Sequence, residues 1–122
     1  SFYFKYMDMS SENLQEIRNA IYANVEEANE KTAVAATYNA STNLITFTAK
    51  PHYITMYVDT NMYYVFDSSD PATDLGAAGS RHYIAAGERL TIGPFKTAKS
   101  TLALLTLSGT GKIYVSSYVI AS

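Results

Sequence analysis

The sequence predicts a mainly β protein: an antiparallel β-sandwich or jelly-roll-like domain preceded by an N-terminal arm and one amphipathic α-helix. Three observations predict it. From Leu44 onward the chain is a train of short Tyr-, Val-, Ile- and Thr-rich runs, LITFTA, YITMYV, MYYVF, HYIAA, LTI, TLALLTL and KIYVSSYV, separated by turn-forming clusters, which is the pattern of an all-β fold. There is no cysteine, so no disulfide staples the chain, and 122 residues bury enough surface for one core without a metal. Charged residues are 16% of the chain against about 25% in ordinary soluble domains. Together with 11 tyrosines, whose rings pack while their hydroxyls hydrogen-bond, this points to a surface partly covered by a partner.

Two regions are expected: residues 1–43 as arm, helix and linker, and 44–122 as the β-domain. At the start, Phe2, Phe4 and Tyr6 alternate with Tyr3, Lys5 and Met7 and would share one side of an extended strand. An arm of that aromatic density needs a surface to bury itself on. From Ser11 to Lys31 the sequence predicts a helix. Ser10 is a suitable N-cap, Met9 and Leu14 have the spacing of a hydrophobic staple, and Glu12 and Glu16 favour the positive end of the dipole. Leu14, Ile17, Ile21, Val25 and Ala28 fall on one narrow stripe, with Glu12, Glu16, Glu26, Glu27 and Glu30 opposite. Several asparagines weaken the helix, so it needs docking, either on its own β-domain or in a bundle about a symmetry axis. Residues 32–43 read as a linker with a short strand at Val34 to Tyr38.

Strands are expected at about 44–49, 53–58, 62–66, 82–86, 90–92, 101–107 and 112–120. Asp59-Thr60-Asn61 and Gly109-Thr110-Gly111 read as tight hairpin turns, and 67–81, DSSDPATDLGAAGSR, as an outward-pointing surface loop. YITMYV, MYYVF and LALLTL carry large apolar residues on both faces, the pattern of strands covered on both sides. The helix, the arm or another copy would supply the outer cover.

Chemistry is sparse. Residues 1–50 hold six acidic and four basic side chains, and 51–122 hold five of each. No basic stripe exists for nucleic acid. The N-terminal SFYFKYMDM carries Lys5 and Asp8 and no long apolar region, so neither a signal peptide nor a membrane span is expected there. Asp67, Asp70 and Asp74 share a loop, but their spacing does not match a calcium-binding EF-hand. His52 and His82 lack partners at zinc-ligand spacing and read as strand-end histidines bonded to backbone. Gly109-Thr110-Gly111-Lys112 lacks the first Gly and the closing Ser or Thr of a phosphate-binding loop. Asn39-Ala40-Ser41 matches a glycosylation sequon, a short pattern that arises by chance. No catalytic, cofactor or metal residues are expected, and the protein reads as a non-enzyme.

The passage Tyr83-Ile84-Ala85-Ala86-Gly87-Glu88-Arg89-Leu90-Thr91-Ile92, after a Ser/Asp/Gly-rich loop and together with the closing Gly-Thr-Gly turn, resembles the β-domains of head-decoration, cement, head-fibre and tail-accessory proteins of tailed bacteriophages. The resemblance spans most of residues 53–122. It implies a structural role in a virion assembled in the host cytoplasm, as a homo-oligomer, with a trimer favoured, bound to the major capsid protein or other virion subunits. Phe2, Phe4 and Tyr6 on the arm and Leu14, Ile17, Ile21 and Val25 on the helix are the expected subunit contacts. The competing expectation is a carbohydrate- or receptor-binding module, with Tyr rings stacking on sugars and the Asp/Ser loop supplying hydrogen bonds.

Overall fold

A computed structural model describes residues 25–119, of which 25–32 are described as backbone only. Eight strands follow in chain order: β1 (Val25–Ala35), β2 (Leu44–Thr46), β3 (Tyr53–Val58), β4 (Met62–Phe66), β5 (His82–Ile84), β6 (Arg89–Ile92), β7 (Thr101–Thr106) and β8 (Thr110–Tyr118). Two one-turn helices interrupt them, α1 (Ala40–Asn43) and α2 (Pro71–Asp74). The protein is mainly β, with two antiparallel four-stranded sheets in a sandwich-like arrangement. The first has the order β1-β8-β3-β6 and the second β2-β7-β4-β5.

The strands form where side chains alternate between a packed and a more open face. Along β8, Gly111, Ile113, Val115 and Ser117 are buried while Thr110, Lys112 and Tyr114 are exposed, the two-residue period of a pleated strand. The inward-facing positions of both sheets meet in the main core. Val34, Ile54, Met56, Val58, Ile113 and Val115 come from the first sheet, and Ile45, Met62, Tyr64, Ile84, Leu102 and Leu104 from the second. Each fully buried aliphatic side chain stabilises the sandwich by roughly 1.5–3 kcal/mol relative to exposure.

The largest difference from expectation lies at residues 25–31. The helix predicted to run to Lys31 is a strand there, with β1 paired antiparallel to β8 from Val25↔Tyr118 to Ala35↔Thr110. Val25, expected on a helical seam, therefore occupies a strand position. The cause is competition between local and long-range hydrogen bonding. VEEANEK contains good helix formers, but β8 offers it a long ladder, and tertiary pairing overrides propensity.

A second correction concerns the turns. Asp59–Asn61 joins β3 to β4, and residues 107–109 join β7 to β8, yet in both cases the two strands belong to different sheets. Neither is a hairpin; each is an arch across the sandwich. All connections pass between sheets except β4 to β5, which are paired antiparallel and joined through 67–81.

The arches at one end are stitched together. Asp59 Oδ1 accepts the Lys112 amide at 2.8 Å and the Thr60 hydroxyl at 2.8 Å. Asn61 Oδ1 accepts the Ala86 amide at 2.8 Å, and the Gly87 amide donates to the Val58 carbonyl at 2.8 Å. Gly111 lets the β8 arch approach β3–β4, because a Cβ there would lie 2.6 Å from Thr60 Cβ. At the opposite end, Asp67 Oδ1 accepts the Ser100 and Thr101 amides at 2.7 and 2.9 Å, and the Phe95 and Lys99 amides donate to the His52 and Pro51 carbonyls. Between β1 and β2, buried Asn43 donates from Nδ2 to the carbonyls of Ala35 and Leu104, each at 2.9 Å.

Candidate functional site

The two outer sheet faces differ in chemistry, and the 67–81 loop explains the difference. On the second sheet, Val65 and Ala103 are buried on the side away from the core together with Leu75 of the loop, and Tyr38, Leu44, Tyr63 and Leu105 pack around them. Leu75 is fully buried. The loop expected to point outward instead folds back and supplies the apolar cover that MYYVF and LALLTL call for. Pro71 at the start of α2 sets the turn that brings Leu75 down.

Arg81 closes the same loop. Its guanidinium carbon sits 3.7 Å from the centroid of the Tyr63 ring, and Nη1 donates to the Leu75 carbonyl at 3.3 Å. Tyr83, opposite Tyr63 on β5, lies with its ring centroid 5.9 Å from that of Tyr63. This cover is incomplete. Tyr83 is 51% exposed, and Leu107, one residue past β7, is 46% exposed.

On the first sheet, strand alternation turns Tyr57, Arg89 and Tyr114 outward in one cross-strand row, Arg89↔Tyr57↔Tyr114. The Tyr57 and Tyr114 rings are 6.0 Å apart and tilted by 48°, and the Arg89 guanidinium lies 5.3 Å from the Tyr57 centroid. The next row is Thr91↔Thr55↔Ser116, with the Thr55 and Thr91 hydroxyls 3.0 Å apart. Tyr114, Arg89 and Thr91 are exposed, and Tyr57, Thr55 and Ser116 are half-buried.

The ionisable groups singled out in the sequence serve the loops. Asp74 accepts the Ser68 hydroxyl at 2.6 Å, and Asp70 accepts the Thr73 hydroxyl at 2.8 Å. With Asp67 holding the 100–101 amides, the three carboxylates have separate tasks, and among the described residues no three His, Asp or Glu side chains gather as a metal site. His82 lies against Tyr64, ring centroids 5.3 Å apart. His52 bonds through its backbone, but its buried Nδ1 has no hydrogen-bond partner, so the expected side-chain bond to backbone is not made there. Burial pushes the Tyr64 phenol above its usual pKa, and the Glu88 charge adds to the shift; burial likewise raises that of Tyr38.

Of the expected contact residues, Phe2, Phe4, Tyr6, Leu14, Ile17 and Ile21 lie outside the described residues, and Val25 lies in β1. The sequence reading did not name Tyr83, Leu107 or Tyr114 as contact residues. The two-residue alternation in HYI, LALLTL and KIYVSSY carries that signal once the core-facing positions are known. Among the described residues no helix is long and apolar enough to cross a membrane. No protein-family model matches this chain, and no curated protein and no solved structure is similar enough to count as a match.

Proposed function

We propose that this protein is a non-enzymatic structural component of a virion, a decoration or cement protein that binds neighbouring capsid or tail subunits and stabilises the particle. The observation that carries this reading is the partly uncovered apolar side of the second sheet. Tyr83 and Leu107 stand exposed beside half-buried Tyr63 and Leu105, whereas the loop carboxylates are tied to internal hydrogen bonds. Such a surface favours adhesion over turnover.

The strand order supports the finer assignment of a jelly roll. Eight strands alternate between sheets with a single in-sheet connection, giving β1-β8-β3-β6 over β2-β7-β4-β5, and jelly rolls recur in capsid and lectin domains. That last link is an analogy of fold, and function rests on the surface. In this reading the protein is a homo-oligomer, a trimer by preference, found in the virion after assembly in the host cytoplasm. Phe2, Phe4 and Tyr6 of the arm and Leu14, Ile17 and Ile21 of the following segment add contacts to the major capsid protein or to other subunits.

The test is quantitative mass spectrometry of tailed-phage particles purified on a density gradient from the source culture. A constant copy number relative to the major capsid protein supports the proposal. Recovery of the chain only from the soluble fraction, as a monomer, overturns it.

A further inference from the structure

The outer face of the first sheet calls for a different partner from the second. Among the described residues it presents Tyr57, Tyr114, Arg89, Thr55, Thr91 and Ser116 in two adjacent rows, with no exposed aliphatic side chain among them. Pressing that many hydroxyls against a dry protein surface would leave polar groups unpaired, at a cost of about 1–3 kcal/mol each. A partner that brings its own hydroxyls together with a C–H face avoids that cost.

Charge narrows the choice further. The row Arg89↔Tyr57↔Tyr114 ends in a cation at β6, and exposed Lys112, two residues before Tyr114 on β8, is offset by the Asp59 carboxylate, whose pKa it helps to lower. A single cation in the two described rows, with Lys112 offset by Asp59, suits an uncharged ligand better than a polyanion. From β6 to β8 the row spans two strand spacings, roughly 10 Å, the reach of a disaccharide.

We propose that this face binds a neutral oligosaccharide, with the exposed Tyr114 ring against the C–H face of a pyranose and Arg89, Thr91 and the Tyr57 hydroxyl bonding to its hydroxyl groups. The inference is independent of attachment to a particle. It moves sugar recognition from the 67–81 loop, whose Ser68, Asp70 and Asp74 are bonded internally, to the opposite sheet.

The full chain is applied to an array of neutral hexose oligosaccharides with sulfated glycans alongside, and the best neutral disaccharide is then titrated by calorimetry. Retention of neutral sugars is expected. Tyr114→Ala should weaken the titrated affinity by about tenfold and Arg89→Ala by a similar factor, with Thr46→Ala, an exposed position on the other sheet, unchanged. Circular dichroism and urea midpoints establish that each variant is folded, and Tyr114→Phe, which keeps the ring, should retain binding. Retention of no sugar, retention of sulfated glycans alone, or equal loss in Thr46→Ala overturns the proposal. Particle association, measured separately, succeeds or fails on its own.

Discussion

At the scale of single residues, the polar side chains that matter most are those that close arches. Asn43 is fully buried, and its Nδ2 satisfies one carbonyl from the end of β1 and one from β7. Asn43→Ala leaves both acceptors unpaired in the interior, so the chain should lose about 2–4 kcal/mol, read as a lower midpoint at unchanged slope in urea unfolding. An unaltered midpoint would mean that water or a rearranged α1 replaces both bonds. Asp59 makes a prediction of a different kind. Its carboxyl is held below the ordinary 3.8, first by the Lys112 amide and then by the Thr60 hydroxyl. A group with a lowered folded pKa contributes stability above its unfolded value and loses it as pH falls through the folded value. Asp59→Asn keeps an acceptor oxygen but not the charge. The wild type should therefore be the more stable of the two above about pH 4, with the gap closing as the solution is acidified further. Urea melts at a series of pH values check it; a gap that persists at the acid end would place the effect outside Asp59.

At the scale of elements, the 67–81 loop behaves as a lid over a sheet. Leu75 is completely buried with Val65 and Ala103, so Leu75→Ala should cost about 2–5 kcal/mol. It should also expose the outer side of β4 and β7 to a hydrophobic dye, while a substitution at exposed Ala77 should do neither. Here the limits of sequence reading are visible in particular segments. The bounds of β3 and β4 were legible to the residue, and those of β7 to within one, because dense β-branched and aromatic runs are bounded by turn residues. What sequence could not give was the destination of each turn. Asp-Thr-Asn and Gly-Thr-Gly suit a hairpin and an arch equally, since turn chemistry reverses the chain without specifying which sheet receives it. The 25–31 segment was misread for a related reason. Its Val25 and Ala28 continue a helical stripe, and only the long-range partner β8 makes it a strand. The exposed side of the candidate surface, Tyr83, Leu107 and Tyr114, required knowing which positions of each strand face the core.

At the scale of the whole molecule, the sandwich has short or irregular edges and, among the described residues, leaves part of each outer face uncovered. Edge strands β2 and β5 are three residues long and β6 is four. The long edge strand β1 carries register shifts at Val25/Glu27 and Lys31/Val34. Short or irregular edges discourage strand-to-strand pairing between chains, which leaves the faces as the surfaces on which the proposed assembly would rest. The apolar residues exposed on the second sheet, Tyr83 and Leu107, are the ones whose burial would remove surface from water at about 25 cal/mol per Å². Replacing both, Tyr83→Asp with Leu107→Asp, should shift the mass measured by light scattering from the proposed oligomer to monomer while costing only about 0.5–1.5 kcal/mol of unfolding stability, the worth of the Tyr63–Tyr83 ring contact. Salt then separates the driving forces. Ion pairs at an exposed interface weaken as the Debye length shrinks from about 10 Å at 0.1 M to about 3 Å at 1 M, whereas apolar contact does not. The oligomer that the proposed function implies should keep its mass across that range, and dissociation in 1 M salt would assign assembly to charged groups in place of this apolar face.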